Sequence, residues 1–327
     1  MVHLILTGAT GLVGSSVLSH ILSLPSGGNI TRLSILTRNP KIPLLANPPP
    51  PGTPSANRTT QIEVIQHGDF ARYPPDLLAR LEGADACIWA LGVSQMDVDR
   101  ETYVRVTRDF ALEAARAFSG LKRSGREEDS SSSSAAGDGQ GSAGGHKLQS
   151  PQLAPQQNGG DSDDDNSKFN FIYVSGRGAT TQNPKPWTPF FAHVKGETEA
   201  ALLTLCKTQP YASSLAVYSV RPAAVDGHNQ PWLWRDILST HRTALQRSYL
   251  SAAMVSLRWA TRIGLAPGLH SPTEELGRVL VDMAVDDSRA PYSGSDPDVT
   301  GEGRVLENSV LRRMAKEQKN ESEEGLF

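Results

Sequence analysis

Two kinds of run alternate along the chain. "VHLILT" (2–7) is an almost unbroken apolar stretch, and "GLVGSSVLSHILSL" (11–24) behind it repeats its apolar positions at helical spacing. The pair recurs. "RLSILTR" (32–38), "QIEVIQ" (61–66), "DACIWALG" (85–92), "FNFIYVSG" (169–176) and "SSLAVYSVRP" (213–222) read as strands. "PDLLARLEG" (75–83), "DRETYVRVTRDFALEAARAF" (99–118) and "TPFFAHVKGETEAALLTLCK" (188–207) read as helices, the last with Thr188 as cap and Pro189 in its first turn. "SPTEELGRVLVDMAV" (271–285) predicts a helix capped by Ser271 with Pro272 in its first turn. "DACIWALG" is apolar throughout, as a strand covered on both faces must be. The alternation predicts an α/β fold: a Rossmann-type, doubly wound parallel sheet with right-handed crossovers.

Three stretches break the pattern. Residues 40–60 are proline-rich, which argues against regular structure there. Residues 121–168 carry the serine run 130–134, then Gly, Gln and Asp with hardly an aromatic. Such a segment buries too little apolar area to offset its ordering entropy and is expected to be disordered. It falls between a helix and a strand, so it reads as an insertion within one domain. It is either a tolerated surface expansion or a contact for a protein partner. Residues 286–303 look turn-like, and 310–327 begin helical and end as a charged tail. The expected organisation is one domain over 1–120 and 169–300, with a small substrate-side part at about 223–270. The disordered 121–168 interrupts it, and a C-terminal helix and tail follow over 301–327. Trp232 and Trp234 either line an apolar pocket or form the core of the substrate-side part.

Composition narrows the class. The chain has 327 residues and a net charge of −3, which argues against general affinity for nucleic acid. Its two cysteines, Cys87 and Cys206, lie in apolar and helical contexts that suit a reduced protein. With a strand starting at residue 2, no signal peptide is expected. No apolar run reaches the ~20 residues of a spanning helix; "YLSAAMVSLRWATRIGLAPGL" (249–269) is interrupted by Arg258 and Arg262 and reads as amphipathic. No metal-ligand cluster is expected.

The chemistry starts at "TGATGLVG" (7–14). Gly8 permits a tight turn, Gly11 leaves room for a pyrophosphate, and Gly14 lets the helix pack on the strand. With Thr10, Leu12 and Val13 they form a strand–turn–helix element whose helix N-terminus offers amides to phosphates. An acidic residue ending the second strand would hold the ribose hydroxyl of NAD. This strand ends in Arg38, whose guanidinium suits the 2′-phosphate of NADP, so NADP is expected, with NAD as the alternative. After the third strand, Asp69 could accept from an adenine amino group with Phe70 packed alongside.

Together with "GDF" (68–70), "ALG" (90–92), "YVSGRGA" (173–179), "VKGETEAAL" (194–202), "SVRPAAVDG" (219–227) and "SPTEELGRVLVDMA" (271–284), this turn resembles the short-chain dehydrogenase/reductase superfamily. The resemblance is to its extended and atypical branches, and covers about 2–118 and 169–285. Lys-Gly-Glu followed by Arg-Pro looks most like the Tat-interacting-protein-like members, which include a fungal mitochondrial outer-membrane protein. The resemblance implies an oxidoreductase acting on an unidentified small molecule. Ala90, Leu91 and Gly92 would line the nicotinamide-ribose side, and Lys195 would hold the ribose hydroxyls. Arg221 and Pro222 would begin a segment closing over the nicotinamide. It also implies a cytoplasmic location or, by analogy, a peripheral one on the mitochondrial outer membrane.

Three positions depart from the family. Its proton-donating Tyr, one turn before the Lys, is Phe191, which has no proton to give. Its serine after the fifth strand is Gly176, preceded by Ser175. Its helix-four Asn is Thr107. Lys195 and Ser175 remain as catalytic candidates, with Tyr103, Thr180, Thr181 or a water as replacement donors. The competing reading is a nucleotide-binding regulator or scaffold without turnover.

Overall fold

The computed structural model describes residues 1–46, 57–95, 97–122, 168–180, 187–227, 255, 268–292 and 296–324. In chain order the elements are β1 (Val2–Thr7), α1 (Leu12–Ser23), β2 (Ile30–Thr37), α2 (Pro43–Ala46), β3 (Gln61–Gln66), α3 (Pro75–Leu81), β4 (Ala86–Trp89), α4 (Arg100–Val104) and α5 (Phe110–Phe118). There follow β5 (Phe169–Val174), α6 (Phe190–Leu205), β6 (Leu215–Arg221), β7 (Ala224–Asp226), β8 (His270–Pro272), α7 (Thr273–Val285), β9 (Val299–Thr300), β10 (Val305–Glu307) and α8 (Asn308–Glu324).

The main sheet runs β3-β2-β1-β4-β5-β6-β10-β9. Its pairings are parallel except at the β9 edge. The chain builds outward from β1 to β3, then crosses back to β4. The strand order therefore reverses between β1 and β4, which opens a crevice at the carboxyl ends of those strands.

Side-chain alternation divides the core between the two faces. Leu4 and Leu6 of β1 join Val17, Leu18 and Ile21 of α1 and Leu276, Leu280 and Met283 of α7. Ile5 joins Cys87, Trp89, Phe118, Phe171 and Leu202 on the other face. Backbone contact brings α1 and α7 together: a Cβ on Gly277 would stand 2.6 Å from the Ser16 carbonyl oxygen.

Several sequence expectations change. Pro43–Ala46 form one helical turn within the proline-rich stretch, because Pro43 fits a first-turn position. Thr188 does not cap α6; its N-cap is Pro189, with no side-chain cap. Nor does Ser271 cap α7, whose N-cap is Pro272. The Ser271 hydroxyl instead accepts from the Ala223 amide (2.9 Å) and donates to Asn308 Oδ1 (2.6 Å). The stretch 286–303 contains β9, and β10 lies in the main sheet, where Val305–Glu307 pair with Ser219–Arg221. Residues 305–307 thus belong to the sheet, after a turn over 301–304. The helix predicted over 99–118 is split by a π turn, Arg105–Asp109. The expectations for 123–167, Thr181, Trp232, Trp234 and most of 249–269 lie outside the described residues.

Cys87 and Cys206 are both free. Among the described residues no helix is long and apolar enough to cross a membrane, and no cluster of His, Cys, Asp and Glu could hold a metal.

Candidate functional site

The turn after β1 is constrained by backbone contacts. Gly8 has φ +69°, and a Cβ there would lie 2.2 Å from the Ala90 carbonyl oxygen. A Cβ on Gly14 would lie 2.1 Å from the Gly8 carbonyl oxygen. Neither position admits a side chain. Gly11 differs: its Cβ would meet only the Gly8 carbonyl oxygen, at 3.4 Å, an ordinary contact. It is the N-cap of α1, in extended conformation at φ −90°, which any residue adopts. The fold therefore does not require glycine at 11, whereas a phosphate approaching the helix end does. Thr10, Leu12 and Val13 complete the turn, where first-turn amides lack carbonyl partners within the helix. Leu91 donates its amide to Thr7 Oγ1 (3.2 Å), tying the ends of β4 and β1 across the crevice.

At the distal end, Arg38 stands exposed directly after β2. Asp69 is exposed, and its Oδ1 accepts from the Ala71 amide (3.2 Å). Phe70 was expected beside an adenine. The structure puts its ring in the core, edge-on to Trp89 at 5.9 Å and tilted against Phe110, because the apolar face behind β4 needs filling. It supports the Asp69 turn from below.

Beyond the turn, a cavity of about 270 Å³ opens at the carboxyl ends of β4, β5 and β6. It brings together Val13, Ala90, Leu91, Gly92, Ser175, Lys195 and Pro222. Gly8, Thr10, Gly11, Leu12, Gly14, Arg38, Asp69 and Phe70 are not among its walls, and neither is Phe191. Tyr103 and Thr107 do line it, as does Tyr173, which sequence reasoning passed over. The signal for Tyr173 was strand parity, since it lies two residues before Ser175 and shares its face. The π turn carries Thr107 into the cavity wall, where its carbonyl accepts from the Tyr173 hydroxyl (3.4 Å).

Lys195 Nζ donates to the Ser175 carbonyl (2.6 Å). Burial pushes its amine down to about 8, with the Glu199 carboxylate one turn along pulling the other way. Gly176 makes room for it: a Cβ there would sit 3.2 Å from Nζ. The Ser175 side chain is 2% exposed, and its hydroxyl has no hydrogen-bond partner. Burial pushes both tyrosine hydroxyls up: that of Tyr103, despite a hydrogen bond with the Thr107 side chain, and that of Tyr173.

Arg221 does not reach the cavity. It forks onto Glu199 (2.5–3.1 Å) and bonds Glu307 (2.7 Å), tying α6 to β6 and β10. Its partner Pro222 alone lines the cavity. A larger cavity of about 490 Å³ lies on that side of α6, walled in part by this closed ion-pair network.

The comparisons agree with this architecture. No protein-family profile matches the chain. It is 37% identical to botcinic acid biosynthesis cluster B protein 16 of Botryotinia fuckeliana (strain B05.10) over 154 residues, 46% of this chain and 88% of that protein. The chain belongs to the family of that cluster protein. A second relative is leucinostatins biosynthesis cluster protein T of Purpureocillium lilacinum, 26% identical over 98% of both chains. Among solved structures, L-sorbose reductase from Gluconobacter frateurii, complexed with NADPH and L-sorbose, superposes with a TM-score of 0.52. It is 12% identical, over 95% of this chain and 97% of that one. A short-chain type dehydrogenase/reductase from Mycobacterium ulcerans superposes at 0.49 and 14% identity, over 93% and 87%. This member of the cluster-protein family has the Rossmann fold of the short-chain dehydrogenases/reductases.

Proposed function

We propose that the chain is an NADP-preferring oxidoreductase of the short-chain dehydrogenase/reductase superfamily, with the family's tyrosine and serine replaced by Phe191 and Gly176. The observation that carries the proposal is Gly11, a glycine that the fold does not need and a bound phosphate does. The residues present fit the cofactor. The α1 N-terminus would take the pyrophosphate, and Arg38 a 2′-phosphate. Asp69 would meet the adenine, while Ala90–Gly92, Pro222 and Lys195 would border the nicotinamide end. A bound nicotinamide would supply or accept a hydride at that end. The chain's own part is to orient the carbonyl or alcohol and exclude water with the apolar walls around Tyr173. The relatives' names support a substrate from a biosynthetic route. The nearest branch we assign is the Tat-interacting-protein-like one, with a cytoplasmic location or a peripheral one on the mitochondrial outer membrane.

Phe191 and Gly176 favour a second reading, a nucleotide-binding regulator or scaffold without turnover, with 121–168 as the contact for a protein partner. Titration with NADPH and NADH, followed by nucleotide fluorescence, tests what the two readings share. Binding of NADPH that is lost in Gly11→Asp, with preference moved toward NADH in Arg38→Glu, is the expected result. Binding of neither nucleotide by the wild type would sink both readings.

A further inference from the structure

We infer that Lys195 is itself the proton donor of this chain, passing a proton from Nζ to the oxygen of a small carbonyl substrate that the Ser175 hydroxyl holds. The inference rests on the oxidoreductase reading above and adds the group that replaces the missing tyrosine.

Three observations converge. The first is the Ser175 hydroxyl, buried and without a partner, on a residue that lines the cavity. An unpartnered buried hydroxyl costs free energy unless a bound group satisfies it, and a carbonyl oxygen would. Second, Lys195 Nζ is held at the cavity by the Ser175 carbonyl at 2.6 Å, in space that Gly176 leaves open. The glycine that looks like a lost serine is thus what seats the ammonium. The third is the set of neighbours. From α4 comes Tyr103, from β5 Tyr173, and on α6 Glu199, itself bound by Arg221 of β6. Both phenols are shifted up by burial and are poor acids there, whereas the Lys195 amine is shifted down to about 8. A proton donor works best when its pKa lies near the working pH. Phe191 is not on the cavity wall, so a tyrosine there would not restore a donor by its position in sequence alone.

The reductant is a dihydronicotinamide, which is oxidised as its hydride forms the new carbon–hydrogen bond. As the carbonyl π pair moves onto oxygen, that oxygen takes the proton from Lys195 Nζ and becomes the hydroxyl. Lys195 is left as a neutral amine and regains a proton from water.

Two measurements on the full chain test this. Trace acetylation with acetic anhydride over a range of pH, read by mass spectrometry at Lys195, should show half-reactivity near pH 8. A half-point at the ordinary lysine value overturns the proposal whatever the nucleotide does. NADPH oxidation with diacetyl as the carbonyl probe should fall as pH rises through the same value, because the ammonium is the donor. Lys195→Arg, assayed at saturating NADPH, should lower that rate on the order of 100-fold. Gly176→Ser should lower it roughly 10-fold by displacing the ammonium. Phe191→Tyr should leave it within about 2-fold, since position 191 is off the wall. A rate raised by Gly176→Ser or Phe191→Tyr overturns the proposal, as does a rate unaffected by Lys195→Arg. NADPH binding with no diacetyl reduction by the wild type overturns the proposal and leaves the cofactor reading standing. Failure to bind NADPH sinks both.

Discussion

The turn after β1 and the turn after β5 end neighbouring parts of the same parallel sheet, and each contains a glycine that no backbone atom crowds. At Gly11 a Cβ would meet, among the described residues, only the Gly8 carbonyl oxygen, at an ordinary 3.4 Å. At Gly176 the chain fills the space itself, with the Lys195 ammonium. The two glycines look alike in sequence and differ in surroundings: a side chain occupies the space at Gly176, whereas the space at Gly11 is where the proposed cofactor phosphate would approach. Gly8 and Gly14, where a Cβ would stand 2.1–2.2 Å from a backbone carbonyl oxygen, mark a third case, where the fold itself requires glycine.

Substitution separates these cases, beginning with the strongest effect. Gly14→Ala forces a Cβ against a carbonyl that cannot yield, so unfolding by denaturant should show a loss of about 3 kcal/mol or more. A change under about 1 kcal/mol would show that α1 can slide on β1 and would erase the contrast with Gly11.

Acid should come next, and it acts at the other, amino end of β1. Burial chiefly, with Arg32 nearby, lowers the His3 imidazole to about 4, and its Nε2 shares a hydrogen bond with Ser34 Oγ at 2.8 Å. Between pH 6.5 and 4 the unfolded chain binds a proton that folded His3 refuses. Stability should therefore be full above pH 6.5 and fall on the way to pH 4, by on the order of 2–3 kcal/mol from this residue. His20, lowered to about 4 by burial first and Arg278 second, adds in the same direction. Melting temperatures across that interval check it, and a His3→Gln variant should flatten the slope.

Gly176→Ala meets a flexible amine at 3.2 Å, so its stability loss should stay near 1 kcal/mol while the reactivity of Lys195 changes. Gly11→Ala should have the smallest effect on folding, within about 1 kcal/mol, from the weaker N-cap alone. Its effect should appear in NADPH titration instead. A Gly11→Ala protein that binds as tightly as wild type would show that nothing needs the space.

Much of this was legible in the chain and some was not. The unbroken apolar runs of β1, β4 and β5 identify strands covered on both faces, and the run 61–66 coincides with β3. The short strands β7 to β10 carry only two or three residues each, too few to show a period, and their pairing is set by partners distant in sequence. The cap residues failed for a related reason. Ser271 has the right chemistry for a cap, but Asn308, 37 residues on, competes for its hydroxyl. Phe70 misled because a residue beside a turn reads as surface, while Trp89 and Phe110 draw it inward. Arg221 misled because its carboxylates sit on α6 and β10, out of sight of the "SVRP" run. Gly176 was read as a loss, and only the distance to Lys195 gives it a positive role.

The places where the chain leaves and re-enters the sheet around residues 123–167 have a consequence for its modularity. Leu121 is fastened by accepting from the Gly83 amide (3.1 Å), and Phe169 donates its amide to Ser214 (2.8 Å). Both anchors lie at the amino ends of β4 and β5, a strand length, roughly 20 Å, from the cavity. Where the connection between two such anchors is a flexible loop, a change in its length costs only the slow logarithm of loop closure. A tag or a whole domain spliced between these anchors should therefore leave the geometry of the cleft unaltered.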